Sequence, residues 1–172
     1  MKKIKSGIIT IFIVLILIFL GCGSAQDSAE KIAERERTAE LISSGEFEIN
    51  NTWALPMSGG QVNLIGNTNY IRFKTDSVEL FLPYFGVRYS GGGYNAEGGI
   101  AYKGSAKNFE SYRDEDKDRQ VIKFEAKKGT ENFTFRINVF SNGKTSTNVN
   151  TTQRSNISYR GEIKALESKE KD

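Results

Sequence analysis

An apolar residue at every second position is the pattern that most restricts this chain. Phe133, Phe135, Ile137 and Val139 alternate with Thr134, Arg136 and Asn138. Such a run buries one face only as a β-strand, because side chains project alternately from the two faces of a pleated backbone. The same period appears at Phe47 and Ile49, at Ile71 and Phe73, and across Val78, Leu80 and Leu82. It returns across Phe85, Val87 and Tyr89, across Ile122, Phe124 and Ala126, and across Ile157, Tyr159 and Ile163. One dry face and one wet face is the signature of antiparallel sheet. Asn142-Gly143, between two extended runs, predicts a tight hairpin with positive φ at both residues. Ser58-Gly59-Gly60, Gly66-Asn67 and Lys128-Gly129 supply further breaks. Short alternating runs with turns between them predict a mainly β chain, an antiparallel barrel or sandwich over residues 45–164.

The period changes ahead of Gly45. Residues 27–44 predict one helix, with Asp27 as its cap, Glu30 three positions on, and Gly45 as its left-handed stop. The apolar stripe of Ile32, Ala39 and Ile42 is thin, so this helix lies across the edge of the domain and does not form its centre. At the other end, 165–172 is a polar tail.

The first residues are an address. Lys2, Lys3 and Lys5 precede an apolar run at 8–20, which as a helix rises about 20 Å against a hydrocarbon core of roughly 30 Å. A basic segment and a short apolar one predict a signal peptide over 1–21. Phe19-Leu20-Gly21-Cys22 resembles the lipobox of bacterial lipoproteins, which implies an acylated Cys22 followed by a spacer over 22–26 and a membrane partner reached through a lipid anchor. Gly23 does not resemble an inner-membrane retention signal, and the spacer has no acidic run. The expected location is the cell envelope, at the periplasmic face of the outer membrane.

Removing that leader changes the charge. The full chain holds 24 bases and 21 acids, a formal +3, and without its three leader lysines it is neutral. Bases and acids interleave, which argues against nucleic acid as a partner. The chain has no His and its single Cys is Cys22. Ser-His-Asp and Cys-His nucleophiles and imidazole metal sites are therefore excluded, as are disulfides and thiolate metal sites within the domain.

A set of short motifs carries a family resemblance: Trp53-Ala-Leu-Pro56, Val62-Asn-Leu64, Leu82-Pro-Tyr-Phe-Gly86, Gly98-Gly-Ile100 and Gln153-Arg-Ser-Asn-Ile-Ser-Tyr159-Arg-Gly161. Over about residues 38–164 their order and spacing resemble the domain-of-unknown-function family 4251, small envelope lipoproteins of Gram-negative bacteria. The resemblance implies a lipocalin-like antiparallel barrel with one N-terminal helix, and it supplies no mechanism.

Few residues point to chemistry. Asp114, Asp116, Asp118 and Glu125 occupy positions 1, 3, 5 and 12 of a calcium-loop pattern, but Arg119 stands where the loop needs Gly. A solvated charged hairpin is the better reading. Gly91, Gly93 and Ala96 fit G-x-G-x-x-A with no helix to follow. Asp76, Glu79 and Glu97 are carboxylates with nothing to pair them in a cleft for glycoside hydrolysis. The expectation is no enzyme, no cofactor and no metal. Aromatic residues are the richer set: Trp53, Tyr84, Phe85, Tyr89, Tyr94 and Tyr102 gather beside glycine-rich turns. In a small barrel they either fill the interior or line a ligand mouth. With Arg154, which suits an ion pair or an anionic group, they form the candidate site for a small apolar or aromatic ligand. The alternative is a solid barrel that docks to another envelope protein.

Overall fold

The computed structural model of the chain describes residues 24–75, 77–90 and 98–166. It has two compact units, Met1–Ala33 and Glu34–Asp172. The described part of the first is the beginning of one helix, α1 (Ser24–Ser43). The helix starts earlier than a cap at Asp27 predicts, because Ala25 and Gln26 are themselves good helix formers. Its end agrees with expectation, with Gly45 at φ 68°. The buried stripe does not. Thr38 and Ile42 are buried and Leu41 is half-buried, while Ile32 and Ala39 are exposed.

The second unit is mainly antiparallel sheet, as the alternation predicts. In chain order its strands are β1 (Glu46–Pro56), β2 (Val62–Asn63), β3 (Tyr70–Lys74), β4 (Ser77–Pro83) and β5 (Gly99–Ser105). There follow β6 (Lys107–Asp114), β7 (Arg119–Lys128), β8 (Glu131–Phe140), β9 (Lys144–Thr151) and β10 (Ile157–Ala165). Across the sheet they run β5-β4-β3-β1-β10-β9-β8-β7-β6, with β2 beside β1. The outermost two, β5 and β6, are separated in sequence only by Ala106. They are therefore two halves of one strand that pairs with β4 up to Ser105 and with β7 from Lys107 onward. This exchange of partner brings the ends of the sheet together into a nearly closed barrel. The corner is marked by a register shift between Lys107 and Glu110 and by Asn108 at φ 51°.

Inward residues are those of the predicted dry faces. Phe47 stacks on Phe73 at 4.7 Å between ring centroids, and Phe124 on Phe135 at 4.5 Å. Phe73 meets the edge of Phe124 at 5.5 Å, joining the two stacks across the barrel. Each fully buried ring contributes about 1.5–3 kcal/mol of transfer free energy. Phenylalanine thus fills the interior between β1–β3 and β7–β8.

One wall is bent on purpose. β1 carries a bulge between Asn51 and Trp53. Asn69 satisfies the backbone there: its Oδ1 accepts from Asn51 N at 2.8 Å, and its Nδ2 donates to Asn51 O at 3.0 Å. Across the ladder, a Cβ on Gly161 would stand 2.1 Å from Asn50 O, so only glycine lets the bulged strand approach.

Two local expectations are corrected. At the β8–β9 hairpin only Gly143 has positive φ, at 72°, and Gly143 N donates to Phe140 O at 2.9 Å. Ser141 and Asn142 are thus the centre of an ordinary turn followed by a left-handed glycine, the three-residue hairpin solution. The run Phe85, Val87, Tyr89 is not a dry strand face. The inward register of Val78, Leu80 and Leu82 continues through Tyr84, which places these odd-numbered residues outside, where all three are exposed.

Candidate functional site

Past Pro83 the chain leaves the sheet and runs back along 153–155. Tyr89 N donates to Gln153 O at 2.8 Å and Ser155 N to Val87 O at 2.8 Å, with an isolated bridge between Arg88 and Arg154. This crossing covers the end of the barrel where β7 turns into β8. The Tyr84 hydroxyl is its centre. It lies 2.9 Å from Val87 O, from Ser155 O and from Ser155 Oγ, and Ser155 Oγ accepts from Val87 N at 3.1 Å. Gly86 is required beside it, since a Cβ would fall 2.3 Å from that hydroxyl.

Arg154 is buried next to this centre. Its Nε and Nη2 donate to the two oxygens of Glu131, each at 2.7 Å, and Nη1 donates to Gly99 O at 3.1 Å. A two-pronged pair of this kind fixes both position and angle. The guanidinium also lies 5.2 Å from the Tyr84 ring centre and 5.7 Å from that of Phe133. Burial pushes the Glu131 carboxyl up, but the bonds from Arg154 and from Thr151 outweigh it and hold the group below its ordinary value. Deeper in, Tyr159 donates to Pro83 O at 2.9 Å, and burial raises its phenol far above the usual range. Every donor of the guanidinium group that this arrangement uses is directed at protein. The cluster is a clasp of the barrel end, with its polar groups paired to one another.

Apart from Val87, Glu131 and Thr151, the polar contacts of this clasp join three of the short motifs that the sequence singled out, at 82–86, 98–100 and 153–161, now brought together in space. The family model described as Domain of unknown function (DUF4251) matches residues 29–163. The chain belongs to this family. The crystal structure of a DUF4251 family protein from Bacteroides eggerthii is similar in fold, with a TM-score of 0.58 at 11% identity over 77% of this chain and 88% of that one. No curated protein matches.

In this DUF4251 barrel the candidate aromatics do not converge. Tyr84 and Arg154 are together in the clasp. Trp53, Phe85 and Tyr89 face solvent, with 36%, 39% and 69% of their surfaces exposed. Tyr102 lies apart, its hydroxyl donating to Ser105 O at 2.9 Å. Tyr94 and Cys22 lie outside the described residues, as do the leader, the glycines at 91–93 and most of the tail. Glu131 was not singled out by sequence, and Ser155 stood only within the closing motif. Glu131 carried a signal all the same, a carboxylate in the inward register of Phe133 and Phe135.

The calcium-pattern carboxylates point to different partners. Asp114 pairs with Arg119 at 2.9 Å, Asp118 with Arg113 and with Arg35, and Glu125 accepts from Asn108 at 2.8 Å. Glu79 pairs with Lys103 at 3.1 Å and accepts from the Tyr70 hydroxyl at 3.3 Å. Among the described residues no group of acidic side chains is placed to hold a metal ion, and no helix is long and apolar enough to cross a membrane.

A concave surface does exist at the seam. An open groove of about 770 Å³ runs beside β5, lined by Tyr70, Phe81, Tyr102 and Lys103 on one side and by Lys127 and Lys128 at the end of β7 on the other.

Proposed function

We propose that this protein is a lipid-anchored component of the bacterial envelope whose barrel is a non-catalytic docking module for another protein. The observation that carries the reading is the filled interior: phenylalanine rings occupy the space an enclosed ligand needs, while Trp53, Phe85 and Tyr89 are presented outward. Exposed aromatic rings on a rigid frame are the side chains that anchor protein partners. The lack of His and of any Cys besides Cys22 supports a role without nucleophilic or metal chemistry. Lys2, Lys3 and Lys5, the apolar run and Cys22 support the anchor.

Two measurements test this. Cys22→Ala should move the protein from the membrane fraction to the soluble one, and retention in the membrane would overturn the anchor. Photo-crosslinkers placed at Trp53, Phe85 and Tyr89 in intact cells should join the protein to one defined partner, with no adduct from exposed positions on β9 such as Asn150. Adducts of equal yield from every position would overturn the docking role. The rival reading, a small apolar or aromatic ligand held by these residues, is favoured instead if native mass spectrometry finds such a molecule on the purified protein.

A further inference from the structure

We propose that the groove at the barrel seam is a second docking surface, apart from the rings of Trp53, Phe85 and Tyr89, and that it takes an extended peptide segment in which acidic residues alternate with apolar ones. This deepens the docking reading and rests on it. Two strand edges meet the groove without a strand beside them. β5 is bonded to β4 on one side, and no strand pairs with its other edge among the described residues. The pairing of β6 with β7 begins at Lys107 and Glu125, so among the described residues no strand pairs with 126–128 of β7 on that side. Unpaired edges of this kind are completed by main-chain hydrogen bonds from an added strand. The groove between them is lined by three lysines and one carboxylate, Glu79, which is taken by Lys103.

Register gives the side-chain pattern. On β5, Tyr102 shares the inward face with Ile100, opposite Leu80 and Leu82, while Ala101 and Lys103 are on the outer face. On β7, Ala126 is inward and Lys127 outward, since Phe124 and Ala126 oppose Phe135 and Phe133. A strand laid between them presents alternate residues to the inward-facing Tyr102 and the others to Lys103 and Lys127, which are cationic. A period of two in the ligand therefore follows from the period of two in the receptor.

The test uses the full chain in detergent micelles and a fluorescein-labelled octapeptide of alternating Val and Glu, with the Val-Lys peptide as its counterpart. Fluorescence anisotropy should show saturable binding of the Val-Glu peptide, and hydrogen exchange should slow at the amides of residues 100–104. The double variant Lys103→Glu, Lys127→Glu, whose folding is checked by its thermal melt, should lose at least about tenfold in affinity for Val-Glu and gain binding of Val-Lys. No saturable binding, affinity unchanged by the charge reversal, or protection confined to other strands would each overturn the proposal. If it falls while crosslinks from Trp53, Phe85 and Tyr89 still join one partner, the docking reading stands and only the groove is dismissed.

Discussion

Where β7 turns into β8, the barrel end is held by Arg154 on both oxygens of Glu131 and by one phenol shared among three oxygens. Where β8 turns into β9, the end is covered by the last turns of α1. There Ile42 joins the core, Thr38 donates to Ser141 O at 3.4 Å, and Arg35 meets Asp118 at 3.3 Å, both of the latter side chains about half exposed. The first end has a single geometry that satisfies its buried groups. The second rests on apolar contact and a solvated ion pair, which tolerate small shifts. The difference teaches where this fold invests specificity: in the loop that must cross the barrel mouth, not in the helix that lies over the opposite one.

Arg154→Met breaks the comparison most severely. It strands a buried carboxylate and should cost about 3–5 kcal/mol in urea unfolding at neutral pH. A loss below about 1 kcal/mol would make the two ends equivalent. The same pair sets an acid limit. The Glu131 carboxyl is held below its ordinary value, so its contribution is complete above roughly pH 4.3 and is lost as pH falls through the depressed value. Urea midpoints measured across that window should fall more steeply in the native protein than in Arg154→Met, where the bonds that lower the carboxyl are gone. Tyr84→Phe is the middle case: removing the shared hydroxyl leaves Ser155 and Val87 to find other partners, for a loss of about 1–2 kcal/mol. Thr38→Val at the helix end should change stability by less than about 0.5 kcal/mol, because its hydrogen bond is long and valine fills nearly the same volume. A larger loss there would mean that the helix is as tightly specified as the clasp.

Strands with one apolar face were legible from residue identity alone, and β8 and β4 match their alternation residue for residue. β6 was not, because six of its eight residues are exposed and it has no dry face to advertise. β9 was obscured because Thr145 and Thr147 point inward with Val149, and threonine reads as polar in a pattern of apolar residues. For the site, sequence marked Tyr84 and Arg154, but as ligand-facing groups as readily as structural ones. Their partner Glu131 lies 23 positions from Arg154, a distance that only topology closes. The outward turn of Phe85, Val87 and Tyr89 was hidden by their own alternation, since a period of two says that residues share a face and not which face it is.

The pairing of β1 with β10 has a consequence for how the molecule is made. Ile49 lies opposite Ile163, so the first and last strands are neighbours and every other strand of the ring is held between them. The ring is unfinished until the last strand has left the machinery that makes or moves the chain. Folding is then a late, collective event governed by contacts remote in sequence, the slow regime for small domains. A chain cut short before 157 would present Phe47, Ile49 and the rest of the inward wall to whatever receives unfinished proteins.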